Sequence, residues 1–159
     1  MKIIIYLIFI FLNSSDLIGQ NLNPKIAEIN LEIKITDSIC KIKGEGIAEG
    51  TIKYNHIVGN YGWTSYFTNS SENKNEPLRI KYSETQPSAN EEINFYYKNG
   101  NLVYAELITT KNRKLTKVKK ITKKEFYFEN QKVIYFDITD RDIDYIIQKE
   151  LTIRKMIYK

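Results

Sequence analysis

The chain has 159 residues and a net charge of +5, and 42% of its residues are hydrophobic. This length suits one globular domain, which buries enough surface to fold without metal or disulfide staples. The single cysteine, Cys40, excludes an internal disulfide, and its apolar surroundings favour a buried thiol.

Residues 1–19 have the pattern of a secretory signal peptide. Lys2 supplies a positive charge, ten apolar residues follow at positions 3–12, and Gly19 offers a small residue at which cleavage can occur. Ten residues are too few for a helix to cross a hydrocarbon core of about 30 Å. We therefore expect an exported protein, periplasmic or extracellular, whose mature chain (20–159) is a single domain without a transmembrane helix. A buried amino-terminal strand or an uncleaved anchor is the alternative.

The segment 24–38 fits two kinds of secondary structure. Ile26, Ile29 and Ile33 share one helical stripe, and Pro24 suits the first position of a helix. Alternate residues from Ile29 onward are also apolar, which is a strand pattern. Periodicity alone does not decide between the two.

Short strands and polar turns are predicted for the following region. Ile52 and Tyr54 suggest a first strand. Residues 69–77 lack a hydrophobic anchor and predict a loop. A strand resumes with the alternation of Leu78, Ile80 and Tyr82, and a turn is predicted at 86–90.

A strand–turn–strand unit then occurs twice, as FYYKNGNLVYAEL at 95–107 and FYFENQKVIYFDI at 126–138. Asn and Gly tolerate positive φ, so Asn99-Gly100 predicts a two-residue type I′ turn. This turn predicts three cross-strand pairs: Tyr97 with Leu102 and Phe95 with Tyr104 on one face, and Tyr96 with Val103 on the other. In the second unit Gln131 disfavours positive φ, so we expect a longer or distorted turn there.

The connection between the two units, residues 111–124, carries eight cations and no acid. It could be a flexible connection, a short helix or an extension of the two flanking strands. These cations are the candidate interaction residues, for anionic lipid or polysaccharide: Lys111, Arg113, Lys114, Lys117, Lys119, Lys120, Lys123 and Lys124. A charge run is more often a solvated loop, which is the alternative. An exported location argues against genomic nucleic acid as the partner.

The last segment predicts the clearest helix of the chain. Thr139 or Asp140 is a suitable N-cap, and acidic residues in the first turn suit the helix dipole. Ile143, Ile147, Leu151 and Arg154 mark one stripe, with Ile146 and Ile157 beside it. We expect this helix to cover one face of the sheet.

The chain resembles a group of small, uncharacterised, exported bacterial proteins. In these, a signal peptide and a short helix of IxxIN type precede repeated YYxNGxLvyv hairpins and a closing helix. Residues 26–30 match the helix, 95–107 and 126–138 match the hairpins, and 140 onward matches the closing helix. The resemblance implies an α+β fold with an antiparallel meander, similar to β-lactamase-inhibitor-type modules, and favours a helix for 24–38. It departs at 55–77 and carries over no catalytic residue.

Residues with catalytic or metal-binding chemistry are few. Cys40 and the only histidine, His56, are too few ligands for zinc, and Cys40 lacks the surroundings of an activated nucleophile. Asp140, Asp142 and Asp144 resemble the start of a calcium loop, but the glycine and glutamate that such a loop requires are missing. The sequence therefore nominates no catalytic residue, no metal and no cofactor.

We accordingly predict an α+β domain in which an antiparallel β-meander of about five to seven strands lies between an amino-terminal and a carboxy-terminal helix. The predicted function is a non-enzymatic binding or inhibitory module of the cell envelope, with an envelope protein or an anionic surface as its partner. A hydrolase acting on an envelope or extracellular polymer, and a peripheral membrane protein held by the basic connection, are the alternatives.

Overall fold

A computed structural model describes residues 24–53, 61–112, 119–134 and 139–158. Seven strands form one antiparallel sheet in which each strand pairs with the next in the chain. The elements, in chain order, are α1 (Pro24–Lys43), β1 (Gly46–Ile52), β2 (Tyr61–Asn69), β3 (Pro77–Thr85), β4 (Ala89–Lys98), β5 (Asn101–Asn112), β6 (Lys119–Glu129), β7 (Lys132–Val133) and α2 (Asp140–Ile157). The predicted fold class, a meander flanked by two helices, is confirmed.

Helix α1 settles the ambiguous amino-terminal segment. Ile26 and Ile29 are buried, whereas Leu31 and Ile35, which belong only to the strand pattern, are 59% and 46% exposed. Thr36 and Cys40 continue the buried stripe toward the end of the helix. The burial therefore follows the period of a helix, and the Cys40 thiol is buried as expected.

Each face of the sheet packs against one helix. On the first face, Tyr96, Tyr104 and Tyr127 pack against Ile26 and Ile29 of α1. Their rings form an edge-to-face series, with centroids 5.7 Å apart for Tyr96–Tyr104 and 5.0 Å for Tyr104–Tyr127. We call this the α1 face.

The opposite face, here called the α2 face, holds the larger core. Phe95, Phe126 and Phe128 of the sheet are at most 2% exposed and pack with Ile146 and Ile153 of α2. The two hairpin units thus contribute matched residues to both faces. Phe95 and its counterpart Phe126 face α2, while their sequence neighbours, both tyrosines, face α1.

The turn of the first hairpin forms as predicted, but the pairing of β4 with β5 beyond the turn differs from the prediction. Asn99 and Gly100 both have positive φ, 52° and 74°, and Tyr97 lies opposite Leu102. The register then shifts, so that Tyr104 lies opposite Tyr96. The predicted pairs of Phe95 with Tyr104 and of Tyr96 with Val103 are wrong by one residue.

A β-bulge at Val103 causes this shift. One extra residue on β5 keeps both tyrosines on the α1 face, and it aligns Phe95 with Ala105 on the other face.

The second hairpin has the same short turn as the first, so the expected longer or distorted turn is wrong. Asn130 and Gln131 have φ values of 50° and 64°, and Glu129 pairs directly with Lys132. A left-handed conformation at a residue with a Cβ costs about 1–2 kcal/mol. The second hairpin therefore keeps the two-residue turn of the first, with backbone strain at Gln131.

Helix α2 begins as predicted but presents a slightly different stripe. Thr139 is the N-cap, and its backbone N–H and hydroxyl both donate hydrogen bonds to the Asp142 carboxylate. The fully buried positions are Ile146, Glu150 and Ile153, whereas Leu151 is 46% exposed. The predicted stripe included Leu151 in place of Glu150, because a pattern of apolar residues cannot reveal that a glutamate is buried.

Several predictions fall on other parts of the chain. The proposed signal peptide (1–19) and His56 lie outside the described residues. Within the described ranges, neither helix is long and apolar enough to cross a membrane.

Candidate functional site

The two hairpin turns are separated by a cleft. Strands β5 and β6 pair from Asn112–Lys119 to Tyr104–Tyr127, and their ladder stops there. Beyond this point β5 continues to the first turn, while β6 forms its own short hairpin with β7. Two adjoining cavities of about 370 and 400 Å³ lie between the tips. The cleft is therefore a consequence of the divergence of two neighbouring strands.

The cavity on the α2 side combines apolar walls with a buried charge. Its apolar wall consists of Leu102, Phe128, Ile147 and Leu151. Glu150 and Arg154 of α2 supply the polar part, and the turn residues Gly100, Asn101 and Gln131 form the rim. Apolar walls with a few fixed polar groups are typical of ligand sites.

The polar part of this cavity is held in a fixed arrangement. Tyr97 donates a hydrogen bond of 3.0 Å to Glu150, and Arg154 lies 3.5 Å from the same carboxylate oxygen. The Arg154 guanidinium also stacks over the Tyr97 ring at 5.7 Å. Burial and the Glu150 carboxylate raise the pKa of Tyr97 well above its ordinary value. Tyr97 therefore stays a neutral donor that orients Glu150.

The cavity on the α1 side is lined by charged residues. Lys25 and Lys98 border it together with Glu129. Lys98 bridges to Glu28 at 3.2 Å and to Glu32 at 2.6 Å, so α1 is tied to the tip of the first hairpin. The cleft thus has two openings on opposite sides of the sheet, one lined mainly by apolar residues and the other by charged residues.

A second polar cluster lies buried beneath α2. Glu84 and Glu91 are cross-strand partners whose side chains are 4% and 8% exposed. Lys149 approaches Glu84 at 2.5 Å and Glu91 at 3.7 Å. Tyr82 and Tyr145 donate hydrogen bonds to Glu84 and Glu91 respectively. Since a cation and two hydroxyls engage these carboxylates under a helix, the cluster joins α2 to the sheet.

A further carboxylate pair occupies the α1 face. Glu106 and Glu125 are cross-strand partners, and Lys123 lies 2.6 Å from the first and 3.0 Å from the second. Tyr104 donates a hydrogen bond of 2.8 Å to Glu125. Burial opposes the change, but hydrogen bonds from Lys123 and Tyr104 lower the pKa of Glu125. Hydrogen bonds to both carboxylates raise the pKa of Lys123. Glu125 and Lys123 are thus both charged at neutral pH.

The described ends of the basic connection, residues 111–112 and 119–124, are extensions of the two flanking strands, which is one of the three predicted forms. Strand β5 runs to Asn112 and β6 starts at Lys119. The extension remains inside the sheet, because Lys111 still pairs with Ala89 of β4. Arg113, Lys114 and Lys117 lie outside the described residues, as does the side chain of Lys119.

The described lysines of this segment do not form one patch. The register places Lys111, Lys120 and Lys124 on the α2 face and Lys123 on the α1 face. Lys124 is bound to Asp142 at 2.7 Å, and Lys123 is bound to Glu106. Lys111 and Lys120 are exposed and lie opposite each other. Alternation along a strand has therefore divided the cations between two surfaces.

The other residues considered for chemistry have structural roles where they are described. Asp142 caps α2 and pairs with Lys124, and Asp140 opens the same helix. Among the described residues, no group of three or more potential metal ligands occurs.

Sequence reasoning missed the cleft and both carboxylate pairs. The pairing of Glu84 with Glu91 follows from the predicted turn between β3 and β4, so it could have been found by counting residues. The cleft depends on where β5 and β6 separate, and no sequence signal marks that point.

No known protein family, no curated protein and no solved structure matches the chain. The resemblance to small exported hairpin proteins therefore stays a prediction, based on the hairpin and helix motifs.

Proposed function

We propose that this protein is an exported, non-enzymatic binding or inhibitory module of the cell envelope, and that it holds a partner protein in the cleft between its hairpin tips. The observation that carries the proposal is the apolar wall of Leu102, Phe128, Ile147 and Leu151 beside the fixed Glu150–Arg154 pair. Exposed Leu151 provides an apolar contact at the mouth, and buried Glu150 with partly exposed Arg154 provides orientation.

The carboxylate pairs support binding rather than hydrolysis. A glycoside hydrolase would need one carboxyl group as an acid and another as a base or nucleophile, with substrate between them. Lys149 bridges Glu84 and Glu91, and Lys123 bridges Glu106 and Glu125. Each pair is therefore already occupied by a lysine of the same chain.

The test compares two leucines that are exposed on helices. Leu151 lines the cleft, whereas Leu31 lies on α1 and is 59% exposed. We would immobilise the purified protein, L151K and the matched control L31K, and capture partners from an envelope extract at low and high salt. We expect one stoichiometric protein to survive high salt with the wild type and L31K. With L151K, retention should fall about tenfold, as for a central contact of an interface.

Three results would oppose the proposal. Equal retention by both leucine variants would place the contact elsewhere. Capture only of lipid or polysaccharide that vanishes with salt would move the function to the basic segment. Turnover of an envelope polymer by the purified protein would replace binding by catalysis.

A further inference from the structure

Strand β1 forms one edge of the described sheet, where it pairs only with β2. Its seven residues, GIAEGTI, pair with Tyr61–Phe67 without any register shift. Sheet edges in soluble proteins are normally protected by charged side chains, proline, a bulge, a very short strand, or a helix or loop that covers them. Strand β1 contains no lysine or proline, no bulge interrupts its pairing, and it is of ordinary strand length. Among the described residues, Glu49 is therefore the one charge that protects this edge, and no described strand other than β2 pairs with it.

The α2 face of this edge is built from small residues under aromatic rings. Gly46 lies opposite Phe67, and Gly50 lies opposite Trp63. A Cβ at Gly46 would lie 2.6 Å from the Phe67 ring, and one at Gly50 would lie 2.6 Å from the indole nitrogen of Trp63. Both rings thus extend across β1 toward its outer edge, which no described strand pairs with, and remain partly exposed.

The other face of the edge carries exposed apolar residues beside one charge. Ile47 is 61% exposed, and its cross-strand partner Tyr66 is 41% exposed. Glu49, the single charged residue of β1, is also exposed. A strand added to this edge would therefore meet aromatic rings on one face and a carboxylate beside an isoleucine on the other.

These features define which side chains a strand paired with this edge would need. An antiparallel strand would place one residue opposite Glu49, and a cationic side chain suits that position. The residues on either side of it would lie opposite Ala48 and Gly50 on the α2 face, the second of them against the Trp63 ring. A residue opposite Gly46 would meet the Phe67 ring. A second copy of β1 in the fully overlapping antiparallel register would place Glu49 opposite Glu49, and like charges in that position are destabilising.

We propose that β1 is a strand-addition site for an extended peptide segment of another protein, in which a lysine or arginine is flanked directly by apolar residues. Main-chain hydrogen bonds to the edge supply affinity, and Glu49 with the two aromatic rings supplies selectivity. This site lies on β1 and β2 and does not depend on the cleft between the hairpin tips.

The chain contains its own reporter, because Trp63 is its only tryptophan and lies beside the edge. The probe is the blocked peptide Ser-Ile-Thr-Val-Lys-Val-Thr-Ile-Ser, titrated into the purified protein while Trp63 emission is followed. A second peptide with glutamate in place of the lysine is the control. We expect the lysine peptide to bind about fivefold more tightly than the glutamate peptide. In E49K the preference should reverse, whereas L151K should retain the wild-type preference.

Other outcomes would overturn the proposal. Binding of neither peptide, or an equal response of wild type and E49K to both, would show that β1 does not select a basic strand. A dimer of the free protein that E49K strengthens would show that the edge is occupied by a second copy. Loss of peptide binding in L151K would assign binding to the cleft instead.

Discussion

Replacing Lys149 by methionine tests the buried cluster that joins α2 to the sheet. Methionine keeps the unbranched side chain but removes the charge that lies 2.5 Å from Glu84 and 3.7 Å from Glu91. Both carboxylates are at least nine-tenths buried, so the substitution removes the positive charge of Lys149 from two groups with little access to water. Breaking a buried ion pair by removing one partner costs about 3–5 kcal/mol. This is a large part of the 5–15 kcal/mol that stabilises an ordinary domain.

Urea denaturation measures this loss. With a slope of about 2 kcal/mol per molar urea, a loss of about 4 kcal/mol lowers the midpoint by about 2 M. The matched control is K155M on the exposed side of the same helix, which should change stability by at most about 0.5 kcal/mol.

The pH dependence separates lost charge from lost packing. In K149M the two carboxyl groups stay buried without the charge of Lys149, and burial without that charge favours the neutral, proton-bound form in the folded protein. The folded state then holds more protons, so stability falls as pH rises. The deficit relative to wild type should therefore be larger at pH 7 than at pH 5. A loss below about 1 kcal/mol, or an equal loss at both pH values, would refute the reasoning.

Three further variants test local features. Asp142→Asn should lower the free energy of unfolding by about 1 kcal/mol at pH 7, as measured by urea titration. Because a hydrogen bond from Lys124 lowers the pKa of Asp142, the stability difference between wild type and variant should shrink below pH 3.8. Gln131→Gly should raise the unfolding free energy by about 1 kcal/mol, because it relieves a φ of 64°; no gain would show that the turn is unstrained. Gly50→Ala should lose about 1–3 kcal/mol and shift Trp63 emission, whereas a stabilised protein would show that the indole moves freely.

The parts of the fold that the sequence predicted are those encoded locally. Asn99-Gly100 predicted its own turn, because only a few residues accept positive φ at both positions. The predicted N-cap of α2 is likewise encoded by Thr139 and the acidic residues after it. For the first helix the local pattern was ambiguous, and the tyrosines that decide it come from three distant strands.

The errors arose where distant contacts override local preference. The bulge at Val103 aligns the tyrosines with α1, which no counting from the turn could anticipate. Gln131 adopts a strained turn because Phe128 and Val133 must both reach the α2 core. Lys149 meets Glu84 across 65 positions of sequence, so the buried cluster was invisible in any sequence window.

The strictly sequential strand order has a consequence for the folding kinetics of the chain. Every described strand pairs with its neighbour in sequence, so the sheet can grow hairpin by hairpin with small loops to close. The helices differ, since Asn30 of α1 meets Tyr127 across 97 positions and Tyr158 at the end of α2 meets Asn69 across 89. Proteins dominated by short-range contacts fold fastest. Sheet assembly should therefore precede helix docking, and the folding transition state should contain the paired strands of the meander with neither helix yet docked.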